Sequence, residues 1–163
     1  ALASLEEGAA VYRSLVATDP LRMAWKTDFA ALLENQASLL LELGQPGRAE
    51  PCSAEAVALC RDGLAREPGE NGRRVDLAEA LETLGDVRAA QHRPVEAGDA
   101  WREGLDRLAG LEGTEGRARK SRIRLLLRLH RVEAAREALR GMAAEARREP
   151  EFQAFCASHG LKG

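Results

Sequence analysis

The sequence predicts an all-α fold built from repeated helical hairpins, and three observations lead there. Aromatic residues make up 4% of the 163 residues, while Ala, Leu, Arg and Glu dominate and β-branched residues are sparse, a balance that favours helix over strand. Apolar residues recur at spacings of three and four, as in Leu32, Leu33, Leu39, Leu40 and Leu43, and again in Leu77, Leu81, Leu84 and Val87. The chain also repeats itself. A gapless shift of 48 residues lays Glu7 on Glu55, Tyr12-Arg13 on Cys60-Arg61 and Asp19-Pro20 on Glu67-Pro68. It also lays Asp28-Phe29-Ala30 on Asp76-Leu77-Ala78, Pro46 on Pro94 and Ala49 on Ala97.

Helices are expected over 2–18, 21–43, 48–66, 73–92, 95–110, 115–130, 132–148 and 150–158. The first stops before Asp19-Pro20, and the second runs to the breaker Gly44-Gln45-Pro46-Gly47. The third ends at Pro68-Gly69-Glu70-Asn71-Gly72, the fourth at His92-Arg93-Pro94 and the fifth at the Gly-rich stretch from Gly110 to Gly116. His130-Arg131 separates the sixth from the seventh. The eighth carries Phe152, Phe155 and Cys156 as a cover for the last hairpin and stops at Gly160. Pro46 and Pro94 suit first turns, where the donor that proline lacks has no partner anyway. His92 and His130 are expected to interact with the last carbonyls of the helices they follow.

Composition sets further bounds. With 24 Lys and Arg against 26 Asp and Glu the formal charge is -2, and the length suffices for a core without disulfide or metal. No apolar run approaches the roughly 18 residues of a membrane span. Cys52 and Cys60 lie roughly 12 Å apart along one helix, too far for a disulfide, so the three cysteines predict buried thiols in a reducing cytoplasm. The start, with neither Met nor a basic, apolar leader, predicts a segment of something longer.

Leu84-Gly85, Ala97, Trp101 and Gly104 carry the spacing of small and aromatic residues found in the tetratricopeptide repeat, and the chain resembles that family. The same register holds Ala37, Ala49, Ser53 and Ala56 before, and Leu125, Ala134, Ala138 and Gly141 after. Arg122 stands where a small residue is usual, and Ser53 and Ala138 replace an aromatic. The resemblance implies a right-handed α-α superhelix of stacked hairpins, about eight helices in one domain over 1–163. Within it lie the second helix of a truncated repeat at 1–20, repeats at 21–68 and 69–110, a degenerate repeat at 111–149 and a capping helix at 150–163. The period exceeds the family's unit of about 34 residues, which points to a long-helix variant. The strings Asp76 to Asp86 and Glu55 to Leu59 resemble repeats appended to bacterial signalling proteins, including Ser/Thr kinases and signalling NTPases.

Site chemistry is sparse in the sequence. His92, His130 and His159 show no helical pairing with carboxylates, no Cys-x-x-Cys occurs, and neither a Gly-x-x-x-x-Gly-Lys loop nor a Gly-x-Ser-x-Gly elbow is present. No carboxylate is picked out by an apolar setting. The expectation is a non-catalytic protein with no cofactor and no metal, in which Trp25 and Trp101 are packing residues.

The resemblance implies that the first helices of the hairpins line a concave groove. Its predicted partner-binding residues are Glu34, Asn35, Ser38 and Glu42, then Glu79, Glu82, Thr83 and Asp86, then Arg119, Lys120 and Ile123. A protein or peptide of basic or mixed charge is expected there, steered by Glu34, Glu79, Glu82 and Asp86, with Asn35 on its backbone. The same acids also read as a solvated face. A structural or self-association role, on the chain itself or on parent domains, is the alternative. Arg117, Arg119, Lys120, Arg122, Arg124, Arg128 and Arg131 form a basic run expected to pair with acidic neighbours or an acidic partner. Nucleic acid is the least favoured partner, since no aromatics interleave with that run.

Overall fold

The structure, a computed structural model, describes residues 1–111, 116–142, 147 and 149–161. These form eight α-helices with no strand among the described residues: α1 (Leu2–Thr18), α2 (Met23–Glu42), α3 (Pro46–Arg66), α4 (Asn71–Ala90), α5 (Pro94–Arg107), α6 (Arg117–Arg128), α7 (Val132–Arg140) and α8 (Pro150–Ser158). Pro46, Pro94 and Pro150 open α3, α5 and α8. The seventh helix stops at Arg140, short of the expected 148, and residues 143–146 and 148 lie outside the described residues, as do 112–115 in the expected Gly-rich break. None of the described helices is long and apolar enough to cross a membrane.

One turn geometry ends α2, α4, α6 and α8. The residue after each C-cap is left-handed, with φ of 69° at Gly44, 61° at His92, 57° at His130 and 77° at Gly160. The next amide then donates back into the helix, Gln45 to the Leu40 carbonyl at 2.8 Å, Arg93 to Arg88 at 2.9 Å, Arg131 to Leu126 at 2.8 Å and Leu161 to Cys156 at 2.9 Å. As expected, the histidines serve the last carbonyls of these helices, and they do so through their backbone, with His92 and His130 amides donating to Ala89 and Leu127 at 3.0 Å each. A residue with a Cβ holds this conformation at a cost of about 1 kcal/mol, which glycine escapes. His130→Gly is therefore expected to raise stability by about 1 kcal/mol in urea unfolding, and a loss of stability would show that the ring makes a stabilising contact.

Neighbouring helices pack as hairpins, α2 on α3, α4 on α5 and α6 on α7, while α1 packs on α2 and α8 on α6. Alternate helices run parallel, because their side-chain contacts keep a constant offset of 42 residues: Glu6 with Arg48, Arg13 with Glu55, Arg61 with Glu103, Glu82 with Arg124 and Asp86 with Arg128. The 48-residue shift carries the Arg13–Glu55 pair, 2.7 Å, onto the Arg61–Glu103 pair, 2.9 Å. α1 thus stands to α3 as α3 stands to α5. Both pairs are exposed and worth at most about 1 kcal/mol, so they mark the repeat more than they stabilise it.

The core is shared along the array. Phe29, Leu33, Val57, Leu77 and Leu81 bury one cluster across α2 to α4, where Tyr12 of α1 stacks on Phe29 at 6.1 Å. Val75 and Ala78 of α4 join a second cluster with Leu105, Ile123, Leu125, Leu127 and Phe152. α4 therefore belongs to both, as expected where no hairpin covers its own apolar face.

At the motif carrying the family resemblance, Trp101 of α5 lies across Gly85 of α4. A Cβ on Gly85 would sit 2.2 Å from Trp101 Nε1. The indole N–H donates to the Glu82 carbonyl at 3.3 Å and to Asp86 Oδ1 at 3.2 Å. Gly85→Ala is expected to displace the indole and cost about 1–3 kcal/mol, measured by denaturant unfolding with Trp101 emission as a second probe.

Candidate functional site

α2, α4 and α6 lie side by side, and the groove residues expected from the sequence fall on them with unequal access. Asn35, Ser38 and Glu42 are exposed on α2. Thr83 is half-buried, its hydroxyl donating to the Glu79 carbonyl at 3.3 Å.

The acids of α4 are matched by the basic helix. Asp76, Glu79, Glu82 and Asp86 fall at three- and four-residue spacing on one face of α4, and Arg117, Ser121, Arg124 and Arg128 do the same on α6. Two parallel helices bring the stripes together rung by rung. Arg117 reaches Asp76 at 2.9 Å and Glu79 at 2.5 Å, and the Ser121 hydroxyl donates to Glu79 at 2.9 Å. Arg124 meets Glu82 at 2.9 Å, while Arg128 meets Glu82 at 3.0 Å and both oxygens of Asp86 at 2.5 Å. Arg117, Arg124 and Arg128 of the basic run thus pair with acidic neighbours, one of the two outcomes expected of the run.

Three of the four acids of the expected groove, Glu79, Glu82 and Asp86, are thus paired with α6. Glu82 is 6% exposed, and burial pushes its carboxyl pKa up against the pull of Arg128 and Arg124. Ile123 is fully enclosed in the second core cluster and unavailable to a partner. Lys120 pairs with Glu149 ahead of α8, and Arg119 lies against Gly141.

Glu34, the fourth acid, departs from expectation in the opposite sense. It lines a cavity of about 350 Å³ between α2, α3, α4 and α6, together with Lys26, Asn35, Cys60, Arg73, Asp76 and Arg117. The cations there are engaged: Lys26 with Asp62 at 2.5 Å, Arg73 with Glu67 at 2.6 Å, and Arg117 with α4. Glu34 has no hydrogen bond or ion pair to the described residues. Burial, followed by the negative fields of Glu79, Asp76 and Glu82 and offset in part by Arg117, pushes its carboxyl up to about 8. It is mostly neutral at pH 7, both a donor and an acceptor, and no steering charge. The expectation that no carboxylate occupies such a setting is corrected at this residue.

Lys26, Cys60 and Arg73 were absent from the expected site. They come from the N-terminal half of α2, from α3 and from the start of α4, and only packing brings them together. Burial pushes the Cys60 thiol up, so it stays protonated. The three histidines line a second cavity, of about 900 Å³, yet no group of three or more His, Cys, Asp or Glu among the described residues is placed to hold a metal ion. No family model, curated protein or solved structure matches this chain.

Proposed function

We propose that the chain is a non-catalytic interaction module, a right-handed array of tetratricopeptide-like hairpins, which binds a protein or peptide segment of mixed charge on the face shared by α2, α4 and α6. The observation that carries this reading is the open cavity on that face, where Glu34 stands unmatched beside exposed Asn35. Asn35, Ser38 and Glu42 follow one another along the exposed side of α2 and suit hydrogen bonding to an extended segment. The carboxylate and arginine ladder between α4 and α6 fixes the surface in advance, which lowers the ordering cost of binding. By the family resemblance, the module is a regulatory part of a larger bacterial signalling protein.

Reversing Glu79, Glu82 and Asp86 would break the ladder and confuse binding with folding. The test therefore uses exposed residues alone: selection of a displayed peptide library on the chain and on an Asn35→Ala, Ser38→Ala, Glu42→Lys variant. Peptides enriched on the first and lost on the second support the reading, whereas equal enrichment on both removes it.

Self-association through the α1 side is the second reading, favoured by Val11 and Leu21, which are 58% and 72% exposed. A monomer in sedimentation at high concentration disposes of it. Phosphate binding loses support, because Arg117, Lys120, Arg124 and Arg128 already face carboxylates.

A further inference from the structure

Glu34 has a counterpart one repeat later. The 48-residue shift lays Glu34 of α2 on Glu82 of α4, and the two meet opposite surroundings. Glu82 is gripped by two guanidinium groups from the next parallel helix, Arg124 at 2.9 Å and Arg128 at 3.0 Å. Across the equivalent gap Glu34 meets Asp76 and Glu79, which are held by Arg117. Where the second repeat has arginines, the first has an open cavity of about 350 Å³. The other charges lining it have partners, so Glu34 and the amide of Asn35 are the polar groups left to meet an occupant.

We infer that this cavity seats an arginine side chain of the partner segment, held by Glu34 as Arg124 and Arg128 are held by Glu82. The inference rests on the reading of this face as a partner surface and adds the chemistry of the contact. A guanidinium suits the place because its planar fork offers several donors at once, enough for both carboxylate oxygens and the Asn35 amide oxygen. The groups facing Glu34 are Lys26 of α2, Cys60 of α3, Arg73, Asp76, Glu79 and Glu82 of α4, and Arg117 of α6. Their net effect with burial keeps Glu34 protonated to about pH 8, so an entering cation displaces a proton and binds more tightly as the pH rises.

The test titrates the intact chain with N-acetylarginine amide and with its citrulline analogue, a neutral molecule of the same shape, at pH 6 and pH 9. The Glu34 carboxyl carbon is followed by NMR. The arginine derivative is expected to bind at least tenfold more tightly at pH 9 than at pH 6 and to lower the titration midpoint of Glu34, while citrulline does neither. Glu34→Gln keeps the shape, removes the ionisable group and should weaken arginine binding at least tenfold. Absence of arginine binding at both pH values, equal binding of citrulline, an unmoved midpoint or undiminished binding by the variant would each overturn the inference. Peptides selected through Asn35, Ser38 and Glu42 but indifferent to Glu34→Gln would leave the partner surface standing and remove only the arginine seat.

Discussion

Replacing Arg128 with Met is expected to cost about 3–5 kcal/mol of folding stability, far more than the loss of any exposed ion pair in the molecule. Arg128 holds Glu82 and both oxygens of Asp86, and its guanidinium lies 4.5 Å over the Phe155 ring of α8. Burial opposes its charge, and the two carboxylates keep it protonated in spite of that. Removing it leaves Glu82 enclosed with Arg124 as its remaining partner. It also detaches Asp86, to which Trp101 donates, and strips Phe155 of its cover. The loss should appear as a lower urea midpoint with little change in slope. An Arg128→Met, Glu82→Met double variant should recover most of it, since a buried charge left alone is worse than an apolar pair of similar size. A cost below about 1 kcal/mol for the single variant would mean that the ladder is solvated.

Glu34→Gln is expected to stabilise the protein, and by an amount that depends on pH. The carboxyl titrates near its ordinary value of 4.5 in the unfolded chain and at about 8 in the folded one. Between those values the unfolded state has released a proton that the folded state still holds, so rising pH favours unfolding through this group. Its contribution is fully present below pH 4.5, declines through the window up to pH 8 and then levels off. At about 1.4 kcal/mol per unit the decline is about 5 kcal/mol at most. Glutamine does not titrate. The variant should therefore be more stable than the parent by about 2–4 kcal/mol at pH 8, and the gap should close towards pH 4.5. Unfolding curves of both proteins across that range check it, and a constant gap would show that Glu34 is solvated in the native state. A carboxyl whose charge is disfavoured in the folded chain gains most from an entering cation, which is the physical link between this prediction and the proposed arginine seat.

Much of the fold was legible in the sequence. Apolar residues at three and four, punctuated by Gly44, His92-Arg93-Pro94 and His130, located the described helices because those signals act through the local backbone. The 48-residue repeat relates Arg13 to Arg61, and packing gives each an ion pair in an equivalent place, with Glu55 and Glu103, while Gly85 and Trp101, spaced as small and aromatic residues are in the tetratricopeptide repeat, meet across two helices. Expected groove residues Asn35, Ser38 and Glu42 are exposed because they lie opposite the buried stripe of α2.

The state of each charge was not legible. Glu34 and Glu82 occupy the same place in the repeat, yet one is unmatched and the other is clasped by two arginines. What separates them is the next parallel helix, about 42 residues away, where α4 offers acids to α2 and α6 offers arginines to α4. By itself the sequence determined which segments are helical, where they break and how the hairpins repeat, since backbone preference and apolar periodicity are short-range. Only the tertiary structure decided which acids keep their charge, which basic residues are spent and where a cavity opens, because Coulomb energy and desolvation depend on distance across helices that the chain order does not fix.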